Sequence, residues 1–111
     1  MKPWFVEYTS EAAKDRDALN ASEKNQVYKA IRKVSQNPLP KNEGGYGKPL
    51  GNMLGNDLTG LLKIKLLKLG IRVVYRLVRE DGIMRIIVIA VRADDEVYKI
   101  AAIRLAKELL S

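Results

Sequence analysis

A chain of 111 residues has room for one hydrophobic core, so a single domain over residues 1–111 is expected, and a hydrophobic content of 47% in periodic segments excludes a disordered chain. With neither cysteine nor histidine, disulfides, thiolate metal sites, the usual zinc ligand and a histidine general base are all excluded. Any chemistry falls to Lys, Arg, Tyr, Asp or Glu with no cofactor, and 20 Lys plus Arg against 13 Asp plus Glu give a net charge of +7, the balance of a protein that meets phosphate backbones, acidic proteins or anionic surfaces.

The opening MKPWFVEYTS is too short and too polar for a signal peptide, and no apolar run approaches the roughly 18 to 20 residues that cross a bilayer, so a cytoplasmic protein without membrane contact is expected. Trp4 to Tyr8 is rich in strand formers and leads into Thr9-Ser10, which can cap a helix beginning at Glu11. Ala12, Ala13 and Leu19 then keep helical spacing until Asn20 and Ser22 mark a break and a new N-cap. Val27, Ile31 and Val34 give a second amphipathic helix that stops before Asn37-Pro38, with Lys24, Lys29, Arg32 and Lys33 on its solvated face. The two helices should pack as a hairpin over one face of a sheet.

Residues 37 to 56, NPLPKNEGGYGKPLGNMLGN, are so punctuated by proline and glycine that a flexible surface loop without regular structure is expected. The GGYG within it lacks both the preceding strand and the following helix of a phosphate-binding loop. Leu61 to Leu67 and Ile71 to Arg79 read as strands around a turn at Lys68-Leu69-Gly70, and Ile83 to Arg92 follows a turn containing Asp81-Gly82. Ile86 to Val91 is apolar at both parities, which predicts a central strand covered on both faces. Asp94-Asp95-Glu96 opens a last helix with negative charge at its positive end, and Val97, Ala101, Leu105 and Leu109 form its apolar stripe. The fold class is therefore α+β: an N-terminal strand, a helical hairpin, a three-stranded antiparallel meander and a C-terminal helix.

Side chains alternate along a strand, so Lys63 and Lys65 point away from the face of Leu62, Ile64 and Leu66. A Leu69-Gly70 loop would set Lys65 opposite Val74, Lys63 opposite Arg76 and Leu67 opposite Arg72, clustering Lys63, Lys65, Arg72 and Arg76 on the side away from the helical hairpin. Lysines on a strand guard against edge-to-edge pairing, but arginines set among them repel at about 0.2 to 1 kcal/mol per opposed pair. Such a face suits a phosphate, whose oxygens match guanidinium forks. Arg92 joins it with a three-residue Glu80-Asp81-Gly82 loop and falls on the other face with a two-residue Asp81-Gly82 turn, an alternative the sequence leaves open. Tyr98, in the first turn of the last helix, is either a packing residue or a phenol whose ionised form neighbouring cations would favour.

The run from Leu50 to Tyr98, with KPLGNMLGNDLTGLLKIKLLKLGIRVVYRLV followed by IIVIAVRADDEVY, resembles the RelE branch of the RelE/ParE toxin superfamily of bacterial toxin–antitoxin pairs. The resemblance implies a RelE-like, microbial RNase-type fold and a ribosome-dependent messenger-RNA endonuclease that cuts in the A site without a metal. In that family the ribose 2′-hydroxyl attacks the adjacent phosphate, leaving a 2′,3′-cyclic phosphate and a free 5′-hydroxyl. Carried over by motif, Arg72 and Arg92 stabilise the pentacoordinate phosphate with Lys65 assisting there or in proton transfer, Lys63 helps to hold RNA, and Tyr98 is the candidate base or a platform for stacking, while Arg76, from its place on the same strand face, is a further RNA-binding candidate. The implied partners are the ribosome and a cognate acidic antitoxin in a hetero-oligomer, the antitoxin displacing or covering the last helix. A ParE-like toxin that binds DNA gyrase and a basic domain that binds RNA or ribosomes passively are the alternative readings.

Overall fold

The computed structural model describes residues 3–53, 55–91 and 93–110. Strand β1 (Phe5–Tyr8) is followed by helices α1 (Ser10–Asp17) and α2 (Ala21–Ser35), then by strands β2 (Lys48–Met53), β3 (Asn56–Leu66), β4 (Ile71–Val78) and β5 (Ile83–Ala90), and by helix α3 (Asp94–Leu110). The five strands form one sheet in the order β1-β5-β4-β3-β2, with β1 parallel to β5 and the other neighbours antiparallel. Among the described residues no helix is long and apolar enough to cross a membrane.

The helix starts follow the sequence. Thr9 accepts the Ala12 N–H on its hydroxyl at 3.1 Å, and Asn20 and Glu23 cap each other's backbone at 2.8 and 3.0 Å. Such caps contribute about 1 kcal/mol each and fix where α2 leaves α1.

Alternation along the strands sorts the apolar side chains into two cores. Leu62, Ile71, Val73, Tyr75, Met84, Ile86 and Ile89 pack with Ala12, Val27, Ile31 and Val34 under α1 and α2. Leu50, Leu58, Leu61, Val74, Ile87 and Val88 pack with Val97, Tyr98 and Ala101 of α3 on the other face. Strand β5 is accordingly buried on both sides, as its unbroken apolar run requires.

The stretch read as an irregular loop holds β2, so the antiparallel meander runs over four strands and β3 begins five residues before Leu61. Pro49 is tolerated because β2 lies at the edge of the sheet, where the strand carries ladder bonds on one side only. Gly51 takes φ 61° where the register shifts, a conformation that glycine adopts without strain. The preceding segment is also built rather than loose. Gly47 donates to the Leu39 carbonyl at 2.9 Å, Tyr46 to that of Asn37 at 2.9 Å, and the buried Tyr75 hydroxyl to that of Pro38 at 2.9 Å.

The β3–β4 register differs from the one expected by two residues: Lys65 faces Arg72, Lys63 faces Val74 and Leu61 faces Arg76. The connection is the four residues Leu67 to Gly70, closed by hydrogen bonds from Leu69 and Gly70 back to Leu66 and Leu67. A slip of two preserves parity, so every side chain keeps its face while its partner changes. At the other turn Val78 pairs with Ile83 around a four-residue loop with Gly82 left-handed, and an extra residue in β5 between Ile86 and Val88 restores Ala90 to the position opposite Arg72. Arg92, whose face this bore on, lies outside the described residues.

Candidate active site

On the α3 face of the sheet, the sequence Leu61-Lys63-Lys65 runs from core to cation. Leu61 is buried beneath α3 with Val74, and Lys63 and Lys65 extend the same row toward the hairpin tip, where α3 begins. Arg72, directly across from Lys65, completes the cluster. Helix α3 meets this row in matching steps. Asp94 and Tyr98 are four residues apart, about 6 Å along a helix, while Lys63 and Lys65 are two apart, roughly 6.7 Å along a strand. The first turn of α3 therefore pairs residue by residue with the strand: Lys65 Nζ donates to Asp94 Oδ2 at 3.0 Å, and Lys63 Nζ donates to the Tyr98 hydroxyl at 3.2 Å.

Arg72 makes the second contact to Asp94, from Nε to Oδ1, and donates from its terminal nitrogen to the Gly70 carbonyl at 3.1 Å. Burial raises the Asp94 carboxyl, but the hydrogen bonds and charges of Lys65 and Arg72 more than offset it, leaving Asp94 below the usual carboxylate range. The three side chains stay open to solvent, at 26% for Lys65, 23% for Arg72 and 35% for Asp94, so a dissolved anion can reach them. Tyr98 differs. The residue is 1% exposed within the α3 core, which leaves no ring face open for a base to stack on, and Lys63 meets both its hydroxyl and its ring, the ammonium lying 5.8 Å from the ring centroid.

Arg76 stands apart from these residues. It lies four residues from Arg72 along β4, about 13 Å, faces Arg85 across the β4–β5 ladder, and reaches Glu108 Oε1 from Nε at 3.0 Å. Arg85 reaches the same oxygen at 2.6 Å and Glu7 at 2.6 Å, so two opposed arginines are held by carboxylates from α3 and β1. A third tie fastens the middle of α3: Arg104 donates to Asp15 at 2.6 Å and to the Ile87 carbonyl at 2.9 Å, and Asp15 accepts the Ile89 N–H at 3.0 Å. These bonds cover the edge that β5 exposes beyond its pairing with β1.

The structure thus brings Lys63, Lys65, Arg72 and Tyr98 to one end of the α3 face, with Arg76 farther along it. Sequence reasoning missed Asp94 as a member of the site, reading it as a charge favourable at a helix start. Its i, i+4 relation to Tyr98, set against the two-residue step of the lysines, was the available signal. Among the described residues no group of three or more Asp or Glu could hold a metal ion.

No protein-family model matches the chain, and no curated protein sequence does. Solved structures do match. The toxin–antitoxin complex RelBE2 of Mycobacterium tuberculosis aligns with a TM-score of 0.66 and 26% identity over 85% of this chain and 97% of that one. A mutant of the E. coli toxin RelE in the free state aligns with a TM-score of 0.73 and 24% identity over 94% and 99%. The same mutant toxin in complex with a peptide of its antitoxin aligns with a TM-score of 0.68 and 23% identity over 88% and 93%. The chain has the fold of the RelE toxins.

Proposed function

We propose that this chain is the toxin of a type II toxin–antitoxin pair, a cytoplasmic, ribosome-dependent endoribonuclease that cuts messenger RNA in the A site by attack of a ribose 2′-hydroxyl on the adjacent phosphate. The observation that carries this reading is the meeting of Lys63, Lys65 and Arg72 with the first turn of α3 at one solvent-reachable spot. The neighbouring structures supply its biological setting, since they are RelE toxins, free or with antitoxin.

Attack on a phosphodiester builds charge on the non-bridging oxygens, and the Arg72 fork and the Lys65 ammonium are placed on one face to receive it. Charge must also be accepted where the 2′-hydroxyl loses its proton. Lys63 donates to the Tyr98 oxygen; as the phenolate, Tyr98 would take the 2′-hydroxyl proton and become the neutral phenol, while Lys65 would supply the proton that the departing 5′-oxygen needs. Arg92 takes its role, on the phosphate, from the sequence resemblance alone. Lys63 extends the positive row from Lys65 and would hold the RNA backbone, whereas Arg76, tied to Glu108 at the far end of α3, keeps only its place on the same sheet face as support for an RNA contact.

A translating extract tests this reading. Addition of the purified chain is expected to fragment messenger RNA within open reading frames; intact transcripts alongside inhibited gyrase would select the ParE-like alternative, and intact transcripts with ribosome binding alone would select a passive basic domain. The positive charge of +7 fits an acidic antitoxin as partner, and co-expression with one should relieve any arrest of growth.

A further inference from the structure

The Lys65–Arg72 pair is already occupied. Asp94 presents one carboxylate oxygen to Lys65 and the other to Arg72, as the two non-bridging oxygens of a phosphodiester would be presented. The cations come from the sheet and the carboxylate from the helix, 22 residues beyond Arg72 in sequence, so the contact is a product of tertiary packing rather than a local pairing. Both partners of the carboxylate are cationic and lie directly opposite each other, so the pair repels itself whenever no anion lies between.

We infer that Asp94 is a resident occupant of the phosphate subsite and decides which anions enter it: a phosphodiester engages Lys65 and Arg72 only by displacing this carboxylate. Displacement needs only the side chain at the first position of α3 to turn away, and the helix keeps its own hydrogen bonds. Asp94 is tethered and always present, so it competes as a local anion of high effective concentration. Two partly exposed contacts of this kind correspond to roughly a twofold to thirtyfold handicap on an incoming anion. Free RNA bears that handicap in full. An RNA strand held in place by a larger partner brings additional binding energy and overcomes it, which makes Asp94 a determinant of specificity for presented over free RNA. The last step rests on the nuclease reading above; the subsite itself rests on geometry.

Asp94→Asn and Asp94→Ala test the inference in two ways. A short single-stranded RNA fully 2′-O-methylated, and so uncleavable, should bind Asp94→Asn roughly twofold to thirtyfold more tightly than wild type at low salt, and adding Lys65→Ala should abolish the gain. Inorganic phosphate should raise the melting temperature of Asp94→Ala more than that of wild type, against chloride at matched ionic strength. Equal or weaker RNA binding, together with equal stabilisation by phosphate, would overturn the inference and leave Asp94 as a tie between α3 and the sheet. Tighter binding without any cleavage on ribosomes by the wild-type chain would defeat the nuclease reading and keep the subsite; cleavage on ribosomes with unchanged binding would defeat the subsite alone.

Discussion

Replacing Arg72 by Ala separates catalysis from folding, because the contacts of its side chain with Asp94 and Gly70 contribute only modestly to stability. Arg72 makes a partly exposed ion pair with Asp94 and donates to the Gly70 carbonyl. A pair of that exposure contributes about 0.2–1 kcal/mol and the hydrogen bond about 0.5–1.5 kcal/mol, so the loss is about 1–2.5 kcal/mol. At about 4 °C per kcal/mol for a chain of this size, the melting temperature should fall by roughly 4–10 °C. Total stability for 111 residues is about 5–15 kcal/mol. Even at the lower limit the unfolded fraction stays on the order of 1% at 25 °C. Loss of one preorganised charge donor at a developing phosphorane should, by contrast, slow cleavage by about tenfold to a thousandfold. The assay is single-turnover cleavage on programmed ribosomes, run beside thermal unfolding followed by circular dichroism. Cleavage within about twofold of wild type by a variant destabilised as expected would remove Arg72 from the site. Arg72→Lys should recover stability better than rate, because it keeps the charge and loses the fork.

Three further outcomes follow from individual contacts. Tyr98→Phe keeps the buried ring and loses only the hydroxyl that Lys63 contacts, so stability should change by about 1 kcal/mol while single-turnover cleavage slows by at least about tenfold; an unchanged rate would reduce Tyr98 to packing. Gly47→Ala would place a Cβ against the Leu62 side chain, 2.7 Å from the Tyr75 hydroxyl and 2.8 Å from the Pro38 carbonyl. Overpacking of about 1–3 kcal/mol should lower the melting temperature by roughly 4–12 °C, and a change of under about 1 °C would mean that the 37–47 segment yields freely. The Asp94 carboxyl is depressed in the folded protein, so its stabilising effect is present above the unfolded value near 3.9 and is lost as pH falls through the lower, folded value. The gap in melting temperature between wild type and Asp94→Asn should therefore close on acidification below about pH 4, and a gap that stays constant to pH 2 would assign the difference to packing.

The sequence carried the helices and the face of each strand, because these are local matters of capping and parity. Thr9 and Asn20 announce their helices, and the alternation of Lys63 and Lys65 with Leu62, Ile64 and Leu66 survives the two-residue error in register unchanged. Strand β2 was hidden because Pro49 and Gly51 are breakers in most settings and are harmless only at a sheet edge and at a bulge, neither visible before the sheet is assembled. The tight packing of Gly47 on Tyr75 was hidden for the same reason: the two residues are 28 positions apart and meet only through the fold. Asp94 was legible as a helix-start charge and illegible as the partner of Lys65 and Arg72, since a favourable dipole interaction and a long-range ion pair make the same demand on residue type. Arg76 was grouped correctly by face, yet its attachment to Glu108 depends on where the far end of α3 lies.

The most direct measurement is the chemistry of the cut ends. Lys63, Lys65, Arg72 and Tyr98 surround one phosphodiester if ribosome-bound messenger RNA treated with the wild-type chain yields 2′,3′-cyclic phosphate and 5′-hydroxyl termini, and if a 2′-deoxy substitution at the mapped scissile nucleotide abolishes that cut. Fragments ending in a 5′-phosphate, or undiminished cutting at the 2′-deoxy position, would contradict attack by the neighbouring hydroxyl and the site built around it.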